Sequence, residues 1–274
     1  MTLPFKAVAV DMDGTFLNEK RDFNHEEFAE ILDILEKEKV QFIVASGRPY
    51  ARLKQDFKDF KDRMDFVTVN GARLIAEGKQ VGITPIKRDL ILNTVAFGEK
   101  TYPGVTTLVF GPGKAYVLKS APAEEKKFLA YFAGDVGELD KWEDLPDEDF
   151  VQITFNCGGK NAPTIEKAIN DQYGKVISAY GSADFAVDVD AYGVSKAEGL
   201  KELLAKFGLT GDDLIAFGDG GNDIEMLKLA KYSYAMENGM DEVKKVARFV
   251  APKNSENGVF KVLKKYIQAD KELS

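Results

Sequence analysis

The strongest constraint on how this chain folds is a rhythm: short apolar runs rich in β-branched residues alternate with helix-period segments at both ends, and the rhythm breaks in between. Ala7-Val8-Ala9-Val10, Phe42-Ile43-Val44-Ala45 and Phe66-Val67-Thr68-Val69 are apolar on both alternating faces, as strands of a helix-covered parallel sheet are. Between the first two, Phe28, Ile31, Leu32 and Leu35 fall at helical spacing, and Asn24 with Glu27 three residues on predicts the helix start. A second helix is expected to begin near Tyr50. Towards the other end, Leu214-Ile215-Ala216-Phe217 and Phe249-Val250 read as strands. Leu200, Leu203, Leu204 and Phe207 line one helix face ahead of Gly208, and further helices are expected from Ile224 and over 259–266.

Near residue 84 the pattern changes. Strand-like runs at 105–110, 115–119 and 151–155 are separated by turn glycines and two helical stretches, until Phe185-Ala186-Val187 restores the first rhythm. The expected fold class is α/β: a Rossmann-like parallel-sheet core from 1–83 and 189–274, with an α+β domain inserted at 84–188. At 274 residues the chain has room for both domains.

Composition excludes several functions. Basic residues number 37 and acidic ones 45, a net charge of −8, which disfavours a phosphate backbone or an anionic membrane as partner. Cys157 is the one cysteine, so an intrachain disulfide and a multi-thiolate metal site are impossible. His25 is the one histidine; it rules out paired-histidine zinc chemistry and reads as a surface residue at a helix start. No apolar run approaches the roughly 20 residues of a membrane span, and the first ten residues hold no long apolar signal core, so a cytoplasmic location is expected.

Chemistry concentrates where strands end. Asp11-Met12-Asp13-Gly14-Thr15 directly follows the first strand, placing two carboxylates at the sheet edge where open α/β folds bind ligands. Gly218-Asp219-Gly220-Gly221-Asn222-Asp223 leaves another apolar strand and adds carboxylates to that edge; such hard oxygen donors suit Mg²⁺. The glycines resemble a dinucleotide loop only superficially, because Asp223 stands where a third glycine is needed. Asn222 and Asp223 also suit the start of the next helix, and a helix start favours bound anions. Ser46-Gly47-Arg48, after the second strand, offers a hydroxyl, backbone N–H groups and a guanidinium to phosphate oxygens. Lys196 sits at another helix start and can balance anionic charge. Asn70-Gly71 reads as a tight hairpin turn and stays outside the expected site.

Taken together, Asp11-x-Asp13, Ser46, Lys196 and Gly218-Asp219-x-x-Asn222-Asp223, in this order, resemble the four motifs of the haloacid dehalogenase-like hydrolases. The insert between Ser46 and Lys196 resembles the large α+β cap of the Cof-type branch, and Val10-Asp11-Met12-Asp13-Gly14-Thr15-Phe16-Leu17-Asn18 and Glu225-Met226-Leu227-Lys228 resemble bacterial sugar phosphatases of that branch. One departure is Ala197, where the family usually places glycine after the lysine. The resemblance implies an aspartyl-phosphate mechanism, with Asp11 as nucleophile and Asp13 as proton donor, then acceptor. It implies that the Asp11 carboxylate, the Asp13 backbone carbonyl and Asp219 bind Mg²⁺, while Asp223 holds a coordinated water or Lys196. Ser46, Gly47, Lys196 and Asn222 would grip the phosphate of a small phosphorylated substrate, a sugar phosphate first of all. Within the insert, Trp142, Phe155 and Asn156 suit sugar contact no better than ordinary packing, so none is a named site residue. A phosphomutase, a phospho-accepting receiver domain and a non-enzymatic sugar-phosphate binding protein are the competing readings. Oligomeric state is not legible.

Overall fold

The computed structural model describes residues 3–157, 161–183 and 186–272. In chain order the strands are β1 (Ala7–Val10), β2 (Gln41–Ala45), β3 (Asp65–Thr68), β4 (Arg73–Ala76), β5 (Lys79–Ile83), β6 (Thr106–Phe110) and β7 (Ala115–Leu118), then β8 (Val136–Leu139), β9 (Gln152–Asn156), β10 (Ile177–Ala183), β11 (Ala186–Ala191), β12 (Leu214–Gly218), β13 (Tyr232–Met236) and β14 (Phe249–Ala251). The α-helices are α1 (His25–Lys37), α2 (Tyr50–Asp56), α3 (Arg88–Thr101), α4 (Ala123–Ala133), α5 (Ala162–Tyr173), α6 (Lys196–Lys206), α7 (Ile224–Leu229), α8 (Asp241–Val246) and α9 (Gly258–Glu272). Residue packing divides the chain into two units. The first is Met1–Gly47, Asp59–Val81 and Ser195–Ser274; the second is Arg48–Lys58 and Gly82–Val194.

The first unit is built on an eight-stranded sheet of order β14-β13-β12-β1-β2-β3-β4-β5. Strands β14 to β3 run parallel, and β4 returns antiparallel to β3. Helices cover both faces, which is why β1 and β12 are apolar throughout and buried along their length. On one face Phe28, Ile31, Leu32 and Leu35 of α1 are buried, and Phe28 packs against Phe42 and Phe16, with ring centroids 5.0 and 5.1 Å apart. The Asn24 side chain accepts the Glu27 N–H at 3.1 Å, the cap read from the sequence. On the other face Leu200, Leu203 and Leu204 of α6 and Met226 and Leu227 of α7 close over Ala9, Ile43, Val67 and Ala216. The chain lays down β1, β2 and β3 in one direction and β12, β13 and β14 in the other. The order therefore reverses between β1 and β12, and the carboxyl ends of these two strands flank the crevice where such sheets bind ligands.

The second unit carries a six-stranded sheet of order β10-β11-β9-β6-β7-β8. One face packs Val109, Ile153, Phe155, Val187 and Val189 against Ile91 and Val95 of α3 and Ile165 and Ile169 of α5. Trp142 and Phe155 are buried in that core. Strand alternation turns Gln152, Thr154, Asp188 and Asp190 to the opposite face. There the Gln152 amide donates to Asp190 Oδ1 at 3.0 Å, Thr154 Oγ1 to Asp188 Oδ1 at 2.5 Å, and the Tyr180 hydroxyl to Asp190. Asn156 is half-buried and bonds Glu125 of α4 at 3.4 Å. Helix α2 joins this unit: the Arg52 guanidinium lies 4.6 Å from the Tyr131 ring centroid and donates to the Tyr131 carbonyl at 3.1 Å.

The structure moves several expected boundaries. Val69 falls outside β3 because its φ of 49° takes the chain out of extended conformation. Strands β4, β5, β8, β10 and β13 were not marked by the apolar pattern, and Phe185 lies outside the described residues. His25 is exposed, stacks on Phe23 and lies 3.1 Å from Asp22 Oδ1. Cys157 is half-buried and in no disulfide. Among the described residues no helix is long and apolar enough to cross a membrane.

Candidate active site

The β1 ladder carries one residue past the strand, where the Asp11 N–H donates to the Phe217 carbonyl at 3.1 Å. The chain then folds back: Leu17 N–H reaches the Met12 carbonyl at 2.9 Å and Phe16 N–H the Asp11 carbonyl at 3.2 Å. Gly14 makes this turn at φ +80°, where a Cβ would lie 2.8 Å from Asp219 Cγ, so glycine is required on both counts. Thr15, buried beside it, donates from Oγ1 to Asp219 Oδ1 at 2.6 Å and fixes that carboxylate.

Lys196 is the centre of the cluster. The first residue of α6, it is 1% exposed, and its Nζ donates to Asp11 Oδ1 and, at 2.7 Å, to Asp223 Oδ1. The other oxygen of Asp223 accepts the N–H groups of Asp219 and Gly220 at 2.9 and 3.0 Å. Asp223 thus caps its loop and faces Lys196 at once, a satisfied buried carboxylate. One oxygen from each of Asp11, Asp219 and Asp223 lies within 4.8 Å of the others.

Three carboxylates against one ammonium leave this pocket with a formal charge of −2. Burial pushes the Asp11 carboxyl up to about 8; the Lys196 ammonium pulls against that, and the charges of Asp223 and Asp219 reinforce it. Burial also raises Asp219, opposed by the Thr15 hydrogen bond. Burial alone would lower Lys196, but the charges of Asp11 and Asp223 outweigh it and hold the ammonium protonated. A hard-oxygen donor set with this excess charge fits a divalent cation such as Mg²⁺.

The remaining expected residues surround this cluster unevenly. Asp13 is exposed, two residues beyond Asp11, and its charge acts on Asp219. Ser46 is buried at the end of β2, its N–H on the Val67 carbonyl at 2.9 Å. Gly47 follows it, and Asn222 is exposed with its amide donating to Asn70 Oδ1 at 3.2 Å. The Arg48 guanidinium, offered to phosphate by the sequence reading, is instead paired with Asp56 at 2.7 Å.

Four residues enter the site's framework without having been expected there. Thr15 and Asn70 are two of them. The third, Asn238, donates to the Gly14 carbonyl at 2.7 Å and accepts the Asn254 N–H at 3.0 Å; the fourth, Asn254, donates to the Leu17 carbonyl at 2.8 Å. Met240 N–H meets the Asp219 carbonyl at 3.0 Å, so the loop after β13 grips both carboxylate-bearing turns. Thr15 adjoins the Asp-rich run and could have been found there; Asn238 and Asn254 carry no local pattern.

The family profile described as haloacid dehalogenase-like hydrolase matches residues 8–263. An Escherichia coli protein named 5-amino-6-(5-phospho-D-ribitylamino)uracil phosphatase is 32% identical over 266 residues, 97% of each chain. A Streptococcus mutans crystal structure superposes with a TM-score of 0.90 at 36% identity, covering 96% of this chain and 99% of that one. A subclass IIB sugar phosphatase, 24% identical, shares the fold with a TM-score of 0.80 over 95% of this chain and 98% of its own. With the profile and these relatives spanning nearly the whole sequence, the chain belongs to the haloacid dehalogenase-like hydrolases.

Proposed function

We propose that the chain is a Mg²⁺-dependent phosphatase that hydrolyses small phosphomonoesters, sugar phosphates first among them, through an aspartyl-phosphate on Asp11. The observation that supports this most is the buried Asp11 carboxylate at the end of the central strand, in contact with Lys196 and grouped with Asp219 and Asp223. In this reading an Asp11 oxygen attacks phosphorus in line while Asp13 gives its proton to the departing alkoxide. Asp13 then takes a proton from the water that attacks the phosphorus of the aspartyl-phosphate, which frees inorganic phosphate and restores Asp11. Lys196 keeps Asp11 aligned and offsets charge on the transferring group. Ser46, Gly47, Lys196 and Asn222 hold phosphate oxygens. The Asp11 carboxylate, the Asp13 carbonyl, Asp219 and Asp223 would hold Mg²⁺, which supplies positive charge to the nucleophile and phosphoryl oxygens when bound.

The inserted 84–188 segment is read as a cap that selects the rest of the substrate. The polar sheet face with Gln152, Thr154, Asp188 and Asp190 suits a hydroxyl-rich leaving group, and the Escherichia coli relative is named for a substrate with a phosphorylated ribityl chain. The test is phosphate release from a panel of sugar phosphates, that ribityl compound and nucleotides, with Mg²⁺ or EDTA and with Asp11→Ala as the blank. Mg²⁺-dependent release confined to sugar and polyol phosphates is expected. Release equal to the Asp11→Ala blank on every compound would overturn the proposal.

A further inference from the structure

The Asn70-Gly71 pair between β3 and β4 does join two antiparallel strands, as its hairpin signature predicts. Its backbone does more than turn. Val69, Asn70 and Gly71 take φ values of 49, 50 and 108°, three successive residues in the left-handed region. For a β-branched residue such as Val69 this conformation is strained, and Val69 is 2% exposed, so the strain is held by packing. A plain hairpin needs no strained valine.

What the strain achieves is the placement of one buried amide. Asn70 is 6% exposed, and its N–H donates to the Ser46 carbonyl at 3.0 Å. Its Oδ1 accepts the Asn222 amide at 3.2 Å and lies 3.2 Å from where a Cβ on Gly47 would stand. The next residue, Gly71, sits so close to the turn before α6 that a Cβ there would lie 2.8 Å from the Ser195 carbonyl carbon, one residue ahead of Lys196. Asn70 and its neighbour therefore touch the Ser46-Gly47 loop, the Asn222 side chain and the helix start that carries Lys196. These are the groups assigned above to phosphate oxygens, drawn from three separate stretches of chain.

We infer that Asn70 is a positioning residue for phosphoryl transfer: it holds the Asn222 carboxamide and the Ser46-Gly47 backbone in the arrangement that receives the phosphate. The inference rests on the phosphatase reading and adds a residue to it. It acts through Asn222 and the Ser46-Gly47 loop, and the expected loss comes from misplacing them.

Asn70→Gly separates this role from that of a turn. Glycine accepts φ of 50° without strain, so the backbone is retained while the amide is removed. The Mg²⁺-loaded Asn70→Gly enzyme is expected to lose about 10–100-fold in kcat/KM. Inhibition by inorganic phosphate should weaken in parallel, with the melting temperature unchanged or higher. Asn222→Ala should cause a similar loss, and the double variant little more than either, because the two side chains act as one unit. Asn70→Asp, which keeps the acceptor but adds a negative charge beside the phosphate, should raise KM more than it lowers kcat. Wild-type kcat/KM and wild-type phosphate inhibition in Asn70→Gly would overturn the inference and leave the phosphatase reading standing. So would losses that simply multiply in the double variant, or a lower melting temperature with phosphate inhibition intact. A wild-type protein that neither releases phosphate nor binds it in the presence of Mg²⁺ would overturn both.

Discussion

Replacing Lys196 with methionine tests the electrostatic logic of the site more directly than any loss of activity. Methionine fills similar volume, so the packing around this 1% exposed side chain is largely kept while its charge is removed. Two buried carboxylates, Asp11 and Asp223, then lose their shared cation. Removing one partner of a buried ion pair costs about 3–5 kcal/mol, because the remaining charge is left desolvated. For a chain of this size that lowers the melting temperature by roughly 6–20 °C. The Asp11 carboxyl can escape the penalty by taking up a proton. Burial already pushes it up to about 8 with Lys196 present, and without the ammonium it rises further, so the cost is greatest above pH 8 and shrinks as pH falls through that value. From about pH 9.5 to about pH 7.5 Asp11 recovers about 2 kcal/mol. The assay is urea unfolding of both proteins in EDTA at the two pH values. A deficit of about 3–5 kcal/mol at pH 9.5 that narrows by about 2 kcal/mol at pH 7.5 is expected. A deficit below 1 kcal/mol at pH 9.5, or one of equal size at both pH values, would refute the argument that Lys196 sustains Asp11 by its charge.

Two further outcomes are open to measurement. Thr15→Val removes the hydroxyl that orients Asp219, and the Mg²⁺ concentration giving half-maximal activity should rise about 10-fold or more, with kcat at saturating Mg²⁺ much less affected; an unchanged Mg²⁺ titration would count against the orienting role. Burial pushes the Asp65 carboxyl up to about 6, so the folded protein holds this proton more tightly than the unfolded chain and stability falls as pH rises from about 4 through 6. Asp65→Asn, which keeps an acceptor for the Glu77 N–H, should gain on wild type across that window by up to about 3 kcal/mol in urea unfolding, and a pH-independent difference would contradict the assignment.

The parts of this molecule that could be read from sequence are those where one local rule acts alone. Strands β1, β2 and β12 are buried on both faces, so four consecutive apolar residues announce them, and a carboxylate next to such a run marks the ligand edge of the sheet. That rule picks out Asp11, Asp219 and Asp223, which the fold brings within 4.8 Å of one another. Strands β5 and β8 are partly or fully exposed, so the same rule passes over them. Asn70 shows a different limit: the pair Asn-Gly satisfies the turn rule so fully that it conceals a second use, and the contact with Asn222 spans 152 residues. Arg48 shows the converse. A guanidinium next to Ser46-Gly47 suits phosphate, but Asp56 in the last turn of α2 claims it, and one helical spacing earlier than Asp56 Arg52 joins the same carboxylate at 3.0 Å.

The cluster also shows why a charge imbalance can be held so deep in the fold. Asp11 and Lys196 are 185 residues apart in sequence, and their contact exists only when α6 packs on the sheet that holds β1. The parallel ladder from Ala7↔Leu214 to Val10↔Phe217 is wholly buried, and its apolar residues supply the free energy that carboxylates in a low-dielectric pocket consume. Lys196 is poorly placed by the rule for helix ends, since a cation at the first residue of α6 opposes the helix dipole. Its presence there is explained by Asp11 and Asp223, whose charges more than offset the dipole. Ammonium and helix N-terminus then direct positive potential at the same point, which is where an attacking carboxylate and a phosphate oxygen must meet. The position is thus unfavourable for the helix taken alone and favourable for the site, and the long-range packing of α6 on the sheet that ends in Asp11 is what makes the exchange possible.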